Sequence, residues 1–105
     1  MNKLVVAKAT AFVIVTAFLA QSAAAADAAN GQRLAERWCA ACHVVTTTQR
    51  EAYADAPPFA EIAKRAGFTE SGITTFLLDP HAKMPNMDLS RTEAADIAAY
   101  ISRQR

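Results

Sequence analysis

Residues 39–43 have the sequence Cys-Ala-Ala-Cys-His, in which two thiols are separated by two residues and an imidazole directly follows the second thiol. On a helical turn, residues three apart lie on one face, so both sulfur atoms can reach the vinyl groups along one edge of a haem. The imidazole that follows can then bind the iron beneath the ring. This pattern is the attachment signature of a c-type haem. It predicts one covalently attached haem c, bound by Cys39, Cys42 and His43.

A haem iron bound by one histidine has a sixth coordination position, and its ligand decides whether the haem transfers electrons or binds small molecules. The downstream candidates are His81, Met84 and Met87. A thioether is a soft, uncharged ligand that favours ferrous iron. We expect Met84 to be the ligand because Pro85 restrains its backbone. The alternatives are ligation by Met87, ligation by His81, and a purely structural role for both methionines as core fillers.

The N-terminal residues show the three-part pattern of a secretory signal peptide. Lys3 and Lys8 give a positive start, an apolar run follows over residues 9–20, and small residues come next. An uncleaved membrane anchor is the competing interpretation, but a spanning helix needs about 20 continuous apolar residues and Lys8 limits the run at its start. We therefore predict that residues 1–26 are a cleaved signal peptide.

Cleavage after Ala26 puts small residues at positions −3 and −1, and cleavage after Ala24 fits the same rule. Cleavage at either position leaves a single exported domain, and we expect this domain to comprise residues 27–105. Outside the cytoplasm two nearby cysteines normally form a disulfide, but the adjacent histidine and the lack of further cysteines favour capture by haem. Because covalent haem attachment in bacteria is completed in that compartment, the leader and the motif both predict a periplasmic protein.

Charge and size limit the kind of protein that residues 27–105 can form. Removing residues 1–26 from the 105-residue chain leaves 79 residues with 9 basic and 10 acidic side chains, since the leader holds two lysines and no acid. This balance argues against a nucleic-acid partner. A domain of this size buries only about 60% of its unfolded surface and is only marginally stable without an additional stabilising element, such as a disulfide, a metal or a cofactor. A buried haem would supply the missing apolar area.

Four helical patterns and no convincing strand predict an all-α domain of about four short helices wrapped around one haem. Apolar residues recur at spacings of three and four, as on one face of a helix. The first pattern runs to Trp38, and a loop follows because the next residues include three threonines and two prolines. The four patterns cover residues 31–38, 59–66, 70–78 and 91–101.

Signals for helix ends support this division. Asn30 or Asp27 can cap the first helix, Gly67 is placed to end the second, and Pro80 ends the third. In the last helix, Ser90 followed three residues later by glutamate forms a capping box.

Further motifs occur in a fixed order along nearly all of residues 27–105. In this combination the chain resembles the small bacterial class I cytochromes c, and the haem motif and the closing helix are the most specific parts of the resemblance. It implies a class I cytochrome c fold, His/Met axial ligation and one-electron transfer. The motifs are Gly31 eight residues before the first cysteine, C-x-x-C-H, a Pro-Pro loop, Met84-Pro85-Asn86, and L-S-x-x-E leading to D-I-A-A-Y-I.

The resemblance also implies contacts between particular residues. The N- and C-terminal helices of this family cross closely, which would bring Gly31 and Ala35 against Ile97 and Tyr100. A glycine permits that approach because it has no side chain.

In the same family a proline carbonyl accepts a hydrogen bond from the Nδ1–H of the histidine ligand, which fixes the tautomer of the ring. Pro57 matches this proline best, with Pro58 as the alternative. The methionine ligand of the family falls on Met84.

The leading functional hypothesis is a periplasmic one-electron carrier without enzymatic activity. It would dock transiently on redox proteins, such as a periplasmic dehydrogenase or a terminal oxidase, over less than about 1,200 Å². The alternative is the haem subunit of a periplasmic dehydrogenase complex. A third hypothesis is a ligand-binding or catalytic haem from which the methionine dissociates.

Two interpretations do without haem. A thioredoxin-like dithiol would need a βαβ setting that the sequence does not predict. A zinc site with His43 and His81 would need Cys42 and His43 as joint ligands, although consecutive side chains diverge on a helix.

Overall fold

The computed structural model describes residues 24–80 and 83–105. These residues form four helices and contain no β-strand, which confirms the all-α prediction. Residues 1–23 of the predicted signal peptide, and His81, lie outside the described residues. The helices are α1 (Ala28–Trp38), α2 (Phe59–Lys64), α3 (Glu70–Leu78) and α4 (Arg91–Ser102).

Side-chain caps define where three of the helices begin. Asp27 accepts a hydrogen bond from the backbone N–H of Asn30 at 3.0 Å, so Asp27 is the cap of α1. Thr69 accepts one from the first turn of α3 at 3.0 Å. Ser90 Oγ accepts from the N–H of Glu93 at 3.1 Å, and the Glu93 carboxylate accepts from the N–H of Ser90 at 2.8 Å. The predicted capping box of α4 is thereby confirmed.

Helix α2 ends at Lys64, two residues before the predicted end at Ala66. The cause is the extended backbone of Arg65, with φ −63° and ψ 141°, which leaves the helical path. Gly67 follows with φ 78°, a left-handed conformation that glycine adopts without a steric penalty. The predicted stop is therefore a glycine turn toward α3 rather than the last turn of α2.

Helices α1 and α4 cross with their backbones in close contact. A Cβ atom placed on Gly31 would overlap the carbonyl group of Asp96 and lie 2.9 Å from the nitrogen of Ile97. Ala35 and Ile97 are completely buried. The close crossing implied by the family resemblance is confirmed, and it depends on the missing side chain at Gly31.

Helix α4 is the centre of the core, since α1, α2 and α3 all contact it. Within residues 24–80 and 83–105, every helix is too short or too polar to cross a lipid bilayer. The arrangement leaves one side of the domain to loops, which together with the helices enclose a cavity. The buried residues of α4 are Ala94, Asp96, Ile97, Ala98, Ala99, Tyr100 and Ile101.

Candidate haem site

The predicted attachment segment, residues 39–43, follows α1 in hydrogen-bonded turns rather than inside the helix. The backbone N–H groups of Cys42 and His43 both donate to the carbonyl oxygen of Cys39, at 3.1 and 2.8 Å. These bonds span three and four residues, so the segment keeps a helix-like turn. Cys39 is buried and Cys42 is exposed, yet both line one cavity, as the spacing predicted.

The cavity has a volume of about 590 Å³ and contains all four predicted site residues in its wall. The rest of the wall is mainly apolar. Phe59 and Phe76 belong to it. Phe68 does not line this cavity, and the guanidinium of Arg105 lies 5.2 Å from its ring centre. The aliphatic wall residues are Ile62, Ile73, Leu77 and Ile101.

His43 is oriented by a hydrogen bond between its Nδ1 and the carbonyl oxygen of Pro57, 2.6 Å apart. A carbonyl oxygen can only accept, so Nδ1 carries the hydrogen and Nε2 of the neutral ring has a free lone pair for a metal. Such a bond also raises the basicity of a histidine ligand. Of the two candidate prolines, Pro57 is thus the one bonded to His43.

Both methionines of the loop before α4 line the cavity and are half-buried. Met84 also packs against the buried core of the domain. Met87 precedes Asp88, whose φ of 50° marks a left-handed turn. The cavity therefore has a histidine with an available nitrogen and two thioethers in its wall.

Comparison with known proteins gives two findings. Residues 26–101 match the family described as cytochrome c oxidase, cbb3-type, subunit III. The chain is also 55% identical over 93 residues to cytochrome c-552 of Bradyrhizobium diazoefficiens, which covers 89% of each protein. The chain belongs to the cytochrome c family. No solved structure was found to match it.

As a small monohaem class I cytochrome c, the protein carries a covalently bound haem c and transfers electrons. The described residues fit that group. The cavity offers two thiols, a histidine whose tautomer leaves one nitrogen for iron, and a mainly apolar wall suited to a porphyrin.

Gln49 holds the chain on both sides of the histidine of this cytochrome, a role that the sequence did not reveal. Its Nε2 donates to the carbonyl oxygens of Ala40 and His43, each at 2.9 Å, and to that of Glu51 at 3.1 Å. Its Oε1 accepts from the N–H of Val45 at 3.0 Å. One amide side chain thus satisfies several backbone groups of a loop. A glutamine in a polar segment carries no pattern that distinguishes it from a solvated surface residue.

Tyr100 connects α4 of the cytochrome to the same loop. Its hydroxyl donates to the carbonyl oxygen of Val45 at 2.5 Å, and its ring meets that of Phe59 edge-on at 6.3 Å. Burial raises the pKa of Tyr100, with a smaller contribution from the negative charge of Glu36. The hydroxyl therefore remains a donor throughout the neutral pH range.

Cys39 does not have the low pKa of a reactive redox thiol. Burial, with a smaller contribution from Cys42, raises the pKa of the Cys39 thiol to about 11. Reactive thiols of oxidoreductases instead have lowered pKa values, which keep them as thiolates at neutral pH. The thioredoxin-like interpretation is thereby weakened by the site itself, in addition to the all-helical fold.

Proposed function

We propose that this cytochrome is an exported electron carrier whose haem is attached through Cys39 and Cys42 and whose iron is ligated by His43 and Met84. The observation that carries the proposal is the 2.6 Å bond from His43 to Pro57. This bond leaves Nε2 available in a cavity that Met84 also lines. A nitrogen donor and a thioether donor at one apolar cavity are the two axial ligands of an electron-transferring haem.

The reaction that the cysteines would undergo is the addition of their thiols to the vinyl groups of haem. Cys39 and Cys42 would hold the haem through thioether bonds: each thiol would add across the C=C bond of a vinyl group, with a sulfur–carbon bond formed and a hydrogen placed on the other carbon. Electrons and atoms balance without an oxidant.

The bound haem supplies an iron that changes between the ferrous and ferric states by one electron. The chain sets which state is favoured. The thioether of Met84 stabilises the ferrous form, and the apolar wall disfavours the additional positive charge of the ferric form. Pro57 keeps the His43 ring in one orientation and so limits rearrangement when the charge changes.

With both axial positions held by side chains, the iron offers no site for a substrate. We therefore expect a carrier rather than an enzyme, with redox proteins as partners in brief encounters below about 1,200 Å² of buried surface. Export would follow from the signal peptide over residues 1–26, and residues 27–105 would work in the periplasm. The described end of that leader, residues 24–26, is exposed in the structure, as a cleavable segment should be.

The ligand assignment is tested with Met84→Ala, and with Met87→Ala and His81→Ala as matched controls, all produced in a host that attaches haem to exported proteins. We expect all three to be red and to show sharp α and β bands on reduction. Met84→Ala alone should lose the weak sulfur-to-iron charge-transfer band of the oxidised protein and bind carbon monoxide when reduced. Loss of the band only in Met87→Ala would reassign the ligand, and colourless folded wild-type protein would refute haem attachment.

The family match favours one second candidate, a haem subunit bound permanently to a larger complex, because the matched family is described by an oxidase subunit. A periplasmic dehydrogenase is the other complex of this kind. Size-exclusion of the protein extracted from its native cells separates the two functions. A free carrier elutes at the size of one small domain, whereas a subunit co-elutes with a larger oxidase or dehydrogenase.

A further inference from the structure

Asp96 has a buried carboxylate whose two hydrogen-bond partners are distant in sequence. It is 3% exposed, and its Oδ1 accepts from the backbone nitrogen of Asp27, 69 residues away, at 2.7 Å. Its Oδ2 accepts from the side-chain amide of Asn30 at 2.8 Å. Neither partner is a basic side chain. The guanidinium of Arg33 reaches only the oxygen of Asn30, at 3.2 Å.

A buried carboxylate without a counter-charge is costly, because burial removes its hydration and neutral donors restore only part of it. The backbone nitrogen of Asp27, which faces Asp96, differs from ordinary backbone nitrogens because cleavage of the leader would make it the terminus of the chain. Asp27 is the first residue after the expected cleavage position, Ala26. Hydrolysis of the peptide bond between these two residues consumes one water, leaves a carboxylate on Ala26 and converts the amide nitrogen of Asp27 into an α-ammonium group.

We propose that Asp96 is a built binding site for the new α-ammonium group of Asp27, so that removal of the leader creates a partly buried ion pair that ties α1 to α4. The inference rests on the export that forms part of the proposed function. It further assigns cleavage to the bond after Ala26 rather than the bond after Ala24.

The surroundings of the nitrogen favour a positive charge. The 2.7 Å separation lies at the short end of the range for charged N–H to carboxylate bonds. The side chain of Asp27 caps α1, so a second carboxylate belongs to the same residue as the nitrogen. An ammonium group among these acids offsets their mutual repulsion. The acids in turn offset the unfavourable interaction of a positive charge with the N-terminus of a helix dipole.

The described part of the segment that would be removed, residues 24–26, contributes little to the fold. Residues 24–26 are exposed, whereas Ala28, just beyond the cap, is 3% exposed and belongs to the core. The boundary between exposed leader and packed domain thus falls at Asp27. The contact also lies beside Gly31, where the backbones of α1 and α4 meet.

The first test is the intact mass of the haem-loaded protein produced with its own leader. We expect a mature chain that begins at Asp27. A product that begins at Ala25 would overturn the inference.

The second test compares the haem-loaded protein that begins at Asp27 with one that begins at Ala26, each made with a leader that yields that end and verified by mass. The extra alanine leaves the net charge unchanged but turns the ammonium at Asp27 into a neutral amide. Charged hydrogen bonds are about twice as strong as neutral ones. We therefore expect the protein that begins at Ala26 to have an equilibrium constant for unfolding roughly five- to tenfold larger than that of the protein that begins at Asp27. Equal stability of the two proteins would overturn the inference.

Specificity for Asp96 is tested by repeating the comparison in Asp96→Asn and, as a control, in Asp79→Asn, which alters an exposed acid. The effect of the extra alanine should disappear in Asp96→Asn and persist in Asp79→Asn. An effect that persists in both would refute the assignment to Asp96. The optical spectrum is recorded throughout, so that a colourless protein counts against the proposed haem function, whereas red proteins of equal stability count only against the ion pair.

Discussion

The crossing of α1 and α4 and the loop over residues 44–58 are held together by opposite means. At the crossing, Gly31 lets two backbones meet, and the neighbouring Ala35 and Ile97 are completely buried. The loop has no regular secondary structure, and the side chains of Gln49 and Tyr100 pair several of the backbone groups in and beside it. The crossing thus depends on the missing side chain of Gly31, whereas the loop depends on the hydrogen-bonding atoms of Gln49 and Tyr100.

This difference determines which substitutions each region tolerates. A close-packed contact between backbones has no flexible atom that can move aside, so an added methyl group forces the helices apart. A loop on the surface has room for added atoms, but a lost donor leaves carbonyl groups without partners. Both regions position the attachment segment, one from α1 and one from the residues after His43.

The largest effect is expected from Gly31→Val, which adds atoms at the crossing. Its Cβ would overlap the carbonyl group of Asp96, and the branched side chain would extend further into α4. We expect the free energy of unfolding to fall by about 3 kcal/mol or more, the upper part of the range for overpacking. Urea unfolding of the haem-loaded protein, followed by far-UV circular dichroism, measures this.

Ala29→Val is the matched control, since it adds the same branched side chain to an exposed position of α1. Its cost should be limited to the lower helix propensity of valine, about 0.7 kcal/mol or less. Similar losses in the two variants would mean that the crossing is not close-packed in solution.

The contrast between the regions also explains what the sequence could predict. Periodicity and caps identified all four helices, and Ser90 and Glu93 formed the expected capping box, because these signals lie within a few residues of each other. The early end of α2 was missed because the extended backbone of Arg65 has no local signal. The same reason applies to the site. Spacing was enough to bring Cys39 and Cys42 to one cavity, as found.

Contacts between a side chain and a distant backbone group were predictable only where a family resemblance supplied them. The pairing of His43 with Pro57 is one such case. The pairings of Gln49 with Ala40 and of Tyr100 with Val45 are the opposite case, since no motif marks them. The acceptor in each is a carbonyl group, which every residue has, so the sequence does not distinguish it.

An intermediate effect is expected from Gln49→Ala, which removes atoms from the loop. The change deprives the carbonyl groups of Ala40 and His43 and the N–H of Val45 of their partner. We expect a loss of about 1–3 kcal/mol, the cost of leaving partly buried polar groups unsatisfied. Urea unfolding measures the loss, and hydrogen exchange at the Val45 amide should become faster.

Gln32→Ala is the control, because it shortens an exposed glutamine whose amide bonds only to the neighbouring Glu36 at 3.0 Å. Gln49→Glu sharpens the test, since it keeps the shape but places a carboxylate oxygen against two carbonyl oxygens. This variant should be no more stable than Gln49→Ala. Wild-type stability in Gln49→Glu would refute the donor role assigned to the amide.

The smallest effect is expected from Tyr100→Phe, which removes one hydroxyl and leaves the ring against Phe59. The lost bond is the one to the carbonyl oxygen of Val45, at 2.5 Å. We expect a decrease of about 1 kcal/mol in the free energy of unfolding at pH 7. A decrease as large as that of Gln49→Ala would show that the link between α4 and the loop matters as much as the bonds within the loop.

The pH dependence of this difference has a definite sign. Burial raises the pKa of Tyr100 above its ordinary value of 10.0, so the folded state holds this proton more tightly than the unfolded state. The contribution of the hydroxyl is therefore complete below about pH 10 and is lost as the pH rises through the higher pKa of the folded state. The stability difference between wild type and Tyr100→Phe should be constant from pH 6 to about pH 9 and shrink above about pH 10. A difference that grows with alkaline pH would mean that the phenolate is the form the fold prefers, and the hydroxyl would then not be the donor that joins α4 to the loop.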